Sequence, residues 1–300
     1  MDLLNPDISK LINYYPSILS SDPHKTLKPK LDFFKSKGLF TPDLVNFFSI
    51  GPAILMSSFS KVISPSFDIL KSIVQSDQNV IKLIKRNSWI LCTNQVKKLM
   101  VNIELLRNQG VPQTNISNYL INQPRKFTGD ANSFREIVDK VKDMGFNHLQ
   151  TAFLRGIIGL ASMNEANWKN KMDVYKRWDW SEDHIQTAFR KNPYCMTASE
   201  KKIMEVMNFL VNEMGYESLS IAEYPIIVNC SLKARIIPRC SVIKVLVSRG
   251  VIKEKIPINT ISTMIDKSFL EKFVKKYEQE VPGLMKVFQG LLNYQELLQN

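Results

Sequence analysis

The chain has 300 residues, of which 44% are hydrophobic, and its formal net charge is +12. That hydrophobic content is ample for a buried core, and the positive charge favours nucleic acid, an anionic membrane surface or an acidic protein as partner. No run of about 18 apolar residues occurs, so we expect no membrane span. The four cysteines form no CxxC pair and only three histidines are present, which excludes the usual zinc spacings and a disulfide framework. We therefore predict neither a metal site nor a cofactor.

The chain begins with "MDLLNPDISKLINYY", which lacks the Arg-rich, acid-poor composition of an organelle transit peptide. We expect such a peptide to be absent from this chain, as it would be in a truncated product.

A proline pattern then recurs along the chain. From Pro16, steps of 36, 36, 36, 33, 36 and 32 residues reach equivalent positions, and we call the seven positions repeat landmarks. Proline removes a backbone donor and clashes with the preceding turn, so each landmark is expected to end one helix and redirect the chain. The repeat landmarks are Pro16, Pro52, Ser88, Pro124, Ile157, Pro193 and Pro225.

Each unit also carries two helical patterns. Apolar residues three and four apart predict a first amphipathic helix, and a glycine 21 or 22 residues after the landmark is expected to end it in four units. A second helix, such as "TPDLVNFF", leads to the next landmark. Paired helices with a period of 32 to 36 residues are typical of an α-solenoid. We predict an all-α, right- or left-handed superhelical α-solenoid of about seven to eight repeats, a single domain over 1–290 with capping helices over 266–300.

Long strings at this spacing resemble the mitochondrial transcription termination factor (mTERF) proteins, particularly their plant branch. They include "YPSILSSDPHKTLKPKLDFFKSKG" at 15–38, "AFRKNPYCMTASEKKI" at 188–203 and "MGYESLSIAEYPIIVNCSLKARIIPRCSVIKVLVSRG" at 214–250. The chain departs from the pattern at Ser88, where proline is lost, and in a divergent fifth unit with "GIIGL" and "RWDWSEDH". The resemblance implies a helical solenoid that lies along double-stranded nucleic acid and acts in organelle gene expression.

Basic residues near the repeat landmarks are the candidate nucleic-acid contacts. Binding to a phosphate backbone needs Lys and Arg spaced along one face, and the arginine fork suits phosphate. Charged residues near turns are usually exposed to solvent, and such residues would give the same sequence pattern without any ligand. The candidate binding residues are Lys85, Arg86, Arg125, Lys126, Arg155, Arg190, Lys191, Arg235 and Arg239.

Aromatic residues provide a second candidate contact, stacking on unpaired bases, although filling the seams between helices explains them more simply. They are Tyr14, Tyr194, Tyr216, Trp168, Trp178 and Trp180.

The sequence offers little for catalysis. In "SEDHI", Glu182, Asp183 and His184 are consecutive and would point around a helix, so a helix that begins at Ser181 explains them. We predict a protein that is not an enzyme.

The protein is expected to be a monomer that binds double-stranded DNA through a basic groove and regulates transcription, including its termination. Structured RNA, in intron splicing or rRNA maturation, and a protein-docking scaffold are the alternatives. The resemblance implies the mitochondrion, or alternatively the chloroplast.

Overall fold

A computed structural model describes residues 9, 12, 13, 16–51, 53–253 and 256–299. Within these residues every regular element is helical and none is a strand, which confirms the all-α prediction. They group into two compact units, Met1–Ala161 (unit 1) and Ser162–Asn300 (unit 2). That a single domain spans 1–290 stays a prediction. None of the described helices combines the length and apolar character that crossing a membrane requires.

Unit 1 consists of helix pairs that follow one another along the chain. First helices pack on first helices and second helices on second helices of the next pair, as Ser64–Val74 does on Thr93–Asn108 and Asp77–Arg86 on Gln113–Asn122. The pairs are α1 (Lys28–Ser36) with α2 (Thr41–Ile50), α3 (Ser64–Val74) with α4 (Asp77–Arg86), α5 (Thr93–Asn108) with α6 (Gln113–Asn122), and α7 (Ala131–Asp143) with α8 (Thr151–Leu160). Wider helical turns, Pro23–Leu27 and Phe59–Ile63, lead into α1 and α3.

Unit 2 repeats this arrangement and then ends in short helices. Its pairs are α9 (Glu165–Lys176) with α10 (Glu182–Lys191), α11 (Glu200–Asn208) with α12 (Ser218–Glu223), and α13 (Ile237–Ser248) with α14 (Ile258–Thr263). Three further α-helices follow in the described chain, α15 (Asp266–Phe269), which continues into a wider turn over Leu270–Val274 and a tighter turn over Lys275–Tyr277, α16 (Leu284–Phe288) and α17 (Tyr294–Gln299). Phe269, Val274 and Leu284 join Val242 and Leu246 of α13 in one buried cluster. The last helices therefore cover an apolar face that α13 would otherwise expose.

Short helical turns lie at the repeat landmarks, and we call them junction turns. They are Pro16–Ser20, Ala53–Met56, Ser88–Leu91 and Pro124–Phe127 in unit 1, and Pro193–Thr197 and Pro225–Asn229 in unit 2. The predicted landmark Pro52 lies outside the described residues. Ile157 differs from the prediction, because it is buried inside α8, which continues to Leu160. No proline interrupts this apolar helix, so it ends later than the repeat period suggested.

Left-handed residues end the first helices, as the glycine pattern predicted. Gly38 and Gly110, for example, have φ values of +91° and +78°. Two pairs lack the glycine, yet Gln75 and Asp179 adopt φ values of 65° and 62° at the same point. The repeat geometry therefore imposes a left-handed residue even where the side chain disfavours it.

Four buried polar residues share one position in the repeat, 14 residues after a landmark: Lys30, Ser66, Asn102 and Arg239. Lys30 Nζ donates to the carbonyl of Leu55, and Asn102 Nδ2 donates to the carbonyl of Phe127 at 3.0 Å. Both acceptors belong to the junction turn of the following pair. At these two positions the side chain thus links a first helix to the junction turn that precedes the next pair, where a buried carbonyl needs a donor.

Candidate nucleic-acid interface

The charge of unit 1 is concentrated in its middle. Between Gln78 and Gly129 the chain has eight basic residues and a single acid, Glu104. This segment comprises α4 after its first residue, Asp77, together with α5, α6 and two junction turns. Its basic residues are Lys82, Lys85, Arg86, Lys97, Lys98, Arg107, Arg125 and Lys126.

Three of these residues form one exposed face of α4, which we call the α4 basic face: Lys82, Lys85 and Arg86. Their spacing of three and four residues places them on one side, while the opposite side of α4 is buried. Lys85 Nζ contacts Asp43 Oδ2 at 2.6 Å, and Arg86 Nη1 is 3.4 Å from the carbonyl of Asn122. Both contacts are exposed and replaceable, so the α4 basic face remains open to an anionic ligand.

The next two predicted residues lie in the junction turn Pro124–Phe127. Arg125 is exposed, whereas Lys126 is half-buried and its Nζ donates to the carbonyl of Ala161 at 3.3 Å. Lys126 therefore interacts with the negative end of α8 in much the same way as Arg86 approaches the end of α6. A role in the fold explains part of this basic pattern.

Arg155 of α8 is half-buried beside Tyr119. Burial raises the pKa of the Tyr119 hydroxyl, and the positive charge of Arg155 opposes that increase. Arg155 Nε is buried and makes no hydrogen bond within the described part of the chain. A guanidinium that is partly buried in this way is a weaker candidate for a phosphate contact than the exposed Arg86 and Arg125.

In unit 2, Arg190 and Lys191 form the exposed last turn of α10. Arg190 Nη2 donates to Thr187 Oγ1 at 2.8 Å, which holds the guanidinium along its own helix. Both residues sit at the register positions that Lys85 and Arg86 occupy before their landmark.

Arg239 is the predicted contact that the structure places out of reach. Its side chain is 0% exposed, Nη1 donates to the carbonyl of Ile261 at 2.7 Å, and Nη2 pairs with Asp266. The guanidinium also lies over the Phe269 ring, 5.0 Å from its centroid. It occupies the buried position 14 of its repeat, so we leave it out of the interface.

Arg235, one turn earlier, is partly exposed. Its Nη1 donates to the carbonyl of Ser262 at 3.2 Å, and its Nη2 is 3.7 Å from Asp266 Oδ1. These internal contacts make it the weakest of the candidates that remain.

Sequence reasoning missed Lys82 and Trp89. Trp89 is 57% exposed in the junction turn Ser88–Leu91, directly after the α4 basic face. Its position one residue after a landmark is the one that Arg125 occupies, and this shared register was the available signal.

Most of the aromatic residues considered from the sequence pack inside the protein. The Trp180 ring stacks on Tyr175, and Trp168 meets Phe189 edge to face. Trp178 Nε1 donates to Met204 Sδ, and Tyr216 OH donates to the carbonyl of Ile256. Tyr194 is half-buried, and Tyr14 lies outside the described residues.

The "SEDHI" segment is a helix start, as predicted. Ser181 Oγ accepts the backbone N–H of His184 at 3.2 Å, and His184 Nδ1 lies 3.2 Å from the Ser181 amide. Lys176 pairs with Glu182 at 2.7 Å and lowers the pKa of that carboxyl. The polar residues of this segment therefore cap and stabilise the N-terminus of α10.

Comparison with protein families gives a match to the mTERF family model over residues 3–210 and 158–270. No curated protein matches the chain. Proteins of the mTERF family are organellar nucleic-acid-binding regulators of transcription and RNA metabolism, with a helical-repeat solenoid fold, and are not known as enzymes. Because the match covers most of the chain and agrees with its paired helices, the protein belongs to the mTERF family.

Proposed function

We propose that this protein binds double-stranded DNA, mainly through the phosphate backbone, and regulates organellar transcription, including termination. The observation that carries the proposal is the excess of eight basic residues over one acid between residues 78 and 129. Lys and Arg that neutralise phosphates release condensed counterions, which supplies sequence-independent affinity. The α4 basic face would be the centre of this contact, with Arg125 and Arg155 as further contacts in unit 1 and Arg190, Lys191 and Arg235 in unit 2.

The finer assignments belong to the same proposal. We place the protein in the plant branch of the family, in the mitochondrion with the chloroplast as the alternative compartment, and acting as a monomer. The strings that resemble the plant proteins support the first of these.

The test is a fluorescence anisotropy titration against duplex DNA, duplex RNA and single-stranded RNA of equal length at several salt concentrations. Preference for duplex DNA with a steep salt dependence is the expected result. The triple variant Lys82→Glu, Lys85→Glu, Arg86→Glu should bind all duplex sequences more weakly and reduce the salt slope by roughly 3, since each phosphate contact contributes about 0.9.

A matched control reverses three exposed cations of α7: Arg135→Glu, Lys140→Glu and Lys142→Glu. It removes the same charge from the same unit, so it separates a local contact from the effect of net charge. Equal losses in the two triple variants would refute the assignment to the α4 basic face. Absence of binding by the wild-type protein to all three nucleic acids would refute the function and favour a scaffold for a protein partner.

Structured RNA is the second candidate, and the exposed ring of Trp89 favours it. An aromatic ring beside cations is a platform on which an unpaired base stacks, with a contribution of about 1–3 kcal/mol per base. If RNA is the ligand, Trp89→Ala should weaken binding to single-stranded RNA by roughly tenfold. If duplex DNA is the ligand, the same variant should leave affinity nearly unchanged.

A further inference from the structure

Helix α6 is uncharged although it lies in the most basic segment of the protein. None of its ten residues is ionisable apart from Tyr119, and its exposed positions include Asn118 and Asn122. It packs against α4, whose basic face it borders. An amide cannot neutralise a phosphate, so the α6 surface needs a different explanation from that of α4.

A recess of about 470 Å³ lies between these two helices. The α4 basic face lines one side, and the amides of Asn79, Asn118 and Asn122 line the rest together with Ile121. Cations and carboxamides therefore share one concave surface, and no acid is among the residues that line it.

The hydrogen bonds of the three amides leave groups available in the recess. Asn122 Nδ2 donates to the carbonyl of Asn118 at 2.8 Å, and Asn79 Nδ2 donates to the carbonyl of Val74 at 3.0 Å. The Asn118 side chain is exposed and makes no hydrogen bond to the residues that the structure describes. It can therefore present a donor and an acceptor side by side.

A donor and an acceptor in this arrangement match the edge of adenine in the major groove, where N6 donates and N7 accepts. We propose that Asn118 reads adenine in a bound DNA duplex and so contributes sequence preference, while the α4 basic face holds the backbone. Asn122 Nδ2 is engaged by the backbone carbonyl of Asn118, which leaves the Asn118 side chain as the amide of α6 that can read the base. The inference rests on the proposed function and adds a specificity determinant to it.

The test begins with selection of preferred duplexes from a randomised pool by the wild-type protein. Affinities of wild type, Asn118→Ala and Lys82→Ala are then measured on a selected duplex and on a scrambled one. Asn118→Ala should lose about 5- to 100-fold of the discrimination between the two duplexes with the salt slope unchanged. Lys82→Ala should weaken binding to both duplexes equally and lower the slope by about 1.

A modified duplex gives a second readout. Replacing selected adenines by 7-deazaadenine removes the N7 acceptor, which should weaken wild type and leave Asn118→Ala unaffected. Equal losses in the two proteins, or full discrimination by Asn118→Ala, would overturn the inference. Selection of no preferred sequence by a wild-type protein that binds duplex DNA would also overturn it while leaving the proposed function intact. Lack of binding to any duplex would remove the proposed function itself.

Discussion

Replacing Arg239 by alanine tests whether this arginine belongs to the fold or to the nucleic-acid interface. In the structure its guanidinium is fully buried, donates to the carbonyl of Ile261 and lies over Phe269. Its acidic partner Asp266 is 64% exposed, so water can solvate that carboxylate once the arginine is gone. We therefore expect Arg239→Ala to destabilise the protein through the buried contacts, with little contribution from the ion pair.

The size of the effect follows from those contacts. An unsatisfied buried carbonyl costs roughly 1–3 kcal/mol, a desolvated cation–π contact contributes about 1–2 kcal/mol, and the buried methylene groups contribute about 0.8 kcal/mol each. The variant no longer buries a charged guanidinium, so the free-energy cost of desolvating that group disappears and offsets part of this sum. A net loss of about 3 kcal/mol is the expected value, which is a large fraction of the roughly 5–15 kcal/mol that folded domains possess.

Urea unfolding of wild type, Arg239→Ala and Arg235→Ala measures the loss, and the expected decrease in midpoint for Arg239→Ala is roughly 1 M or more. Arg235 is the matched control, since it lies one turn away and contacts the same Asp266 from a partly exposed position. Its removal should cost less than about 1 kcal/mol. Wild-type stability in Arg239→Ala together with weakened DNA binding would show that the arginine acts at the interface and that our reasoning about position 14 fails.

Gln75→Gly should stabilise the protein by about 1 kcal/mol, because Gln75 holds its φ at 65°, in the left-handed region. Gly38→Ala should destabilise the protein by a similar amount through its positive φ alone, because there is open space around Gly38. Thermal unfolding measures both effects, and an unchanged midpoint in Gln75→Gly would contradict backbone strain at this residue. The pKa of Asp77 is lowered, chiefly by its hydrogen bond from Lys71. Asp77→Asn should therefore be less stable than wild type by about 0.5–1 kcal/mol at neutral pH, and the difference should shrink as the pH falls from 3.8 through the lower folded pKa; a difference that persists in acid would count against the ion pair. Burial raises the pKa of the Cys195 thiol to about 12, so a thiol reagent at pH 8 should modify this cysteine only as fast as the protein unfolds, and rapid labelling identified by mass spectrometry would refute its burial.

Much of the fold could be predicted from the sequence period, because proline and glycine, which have strong backbone preferences, recur at fixed positions of the repeat. Pro124 and Pro193 begin junction turns, and Gly38 and Gly110 take left-handed conformations, as expected. The prediction was wrong at Ile157, where no proline stops the helix and an apolar face continues into the core. The repeat period could not predict the length of α8, because an unbroken apolar run can lengthen a helix without changing the units on either side.

The left-handed Gln75 could not be predicted either, since glutamine gives no backbone signal. Its conformation is set by the packing of α3 and α4 around it, which is a tertiary effect that overrides local preference. Trp89 differs, because its register one residue after a landmark, shared with Arg125, was a signal that the sequence reasoning did not use.

The basic residues show most clearly what the sequence could and could not separate. Arg125 and Arg239 have the same side chain and both lie near a proline, yet one is exposed and the other is fully buried. Their register differs: Arg125 follows its landmark by one residue, whereas Arg239 follows by 14 and shares that position with Lys30. Burial also lowers the pKa of Lys30, as expected for an ammonium group taken from water to hold a carbonyl. A cation at position 14 is thus explained by a buried backbone acceptor, the carbonyl of Leu55 for Lys30 and that of Ile261 for Arg239, whereas Arg125 lies at an exposed position beside its landmark.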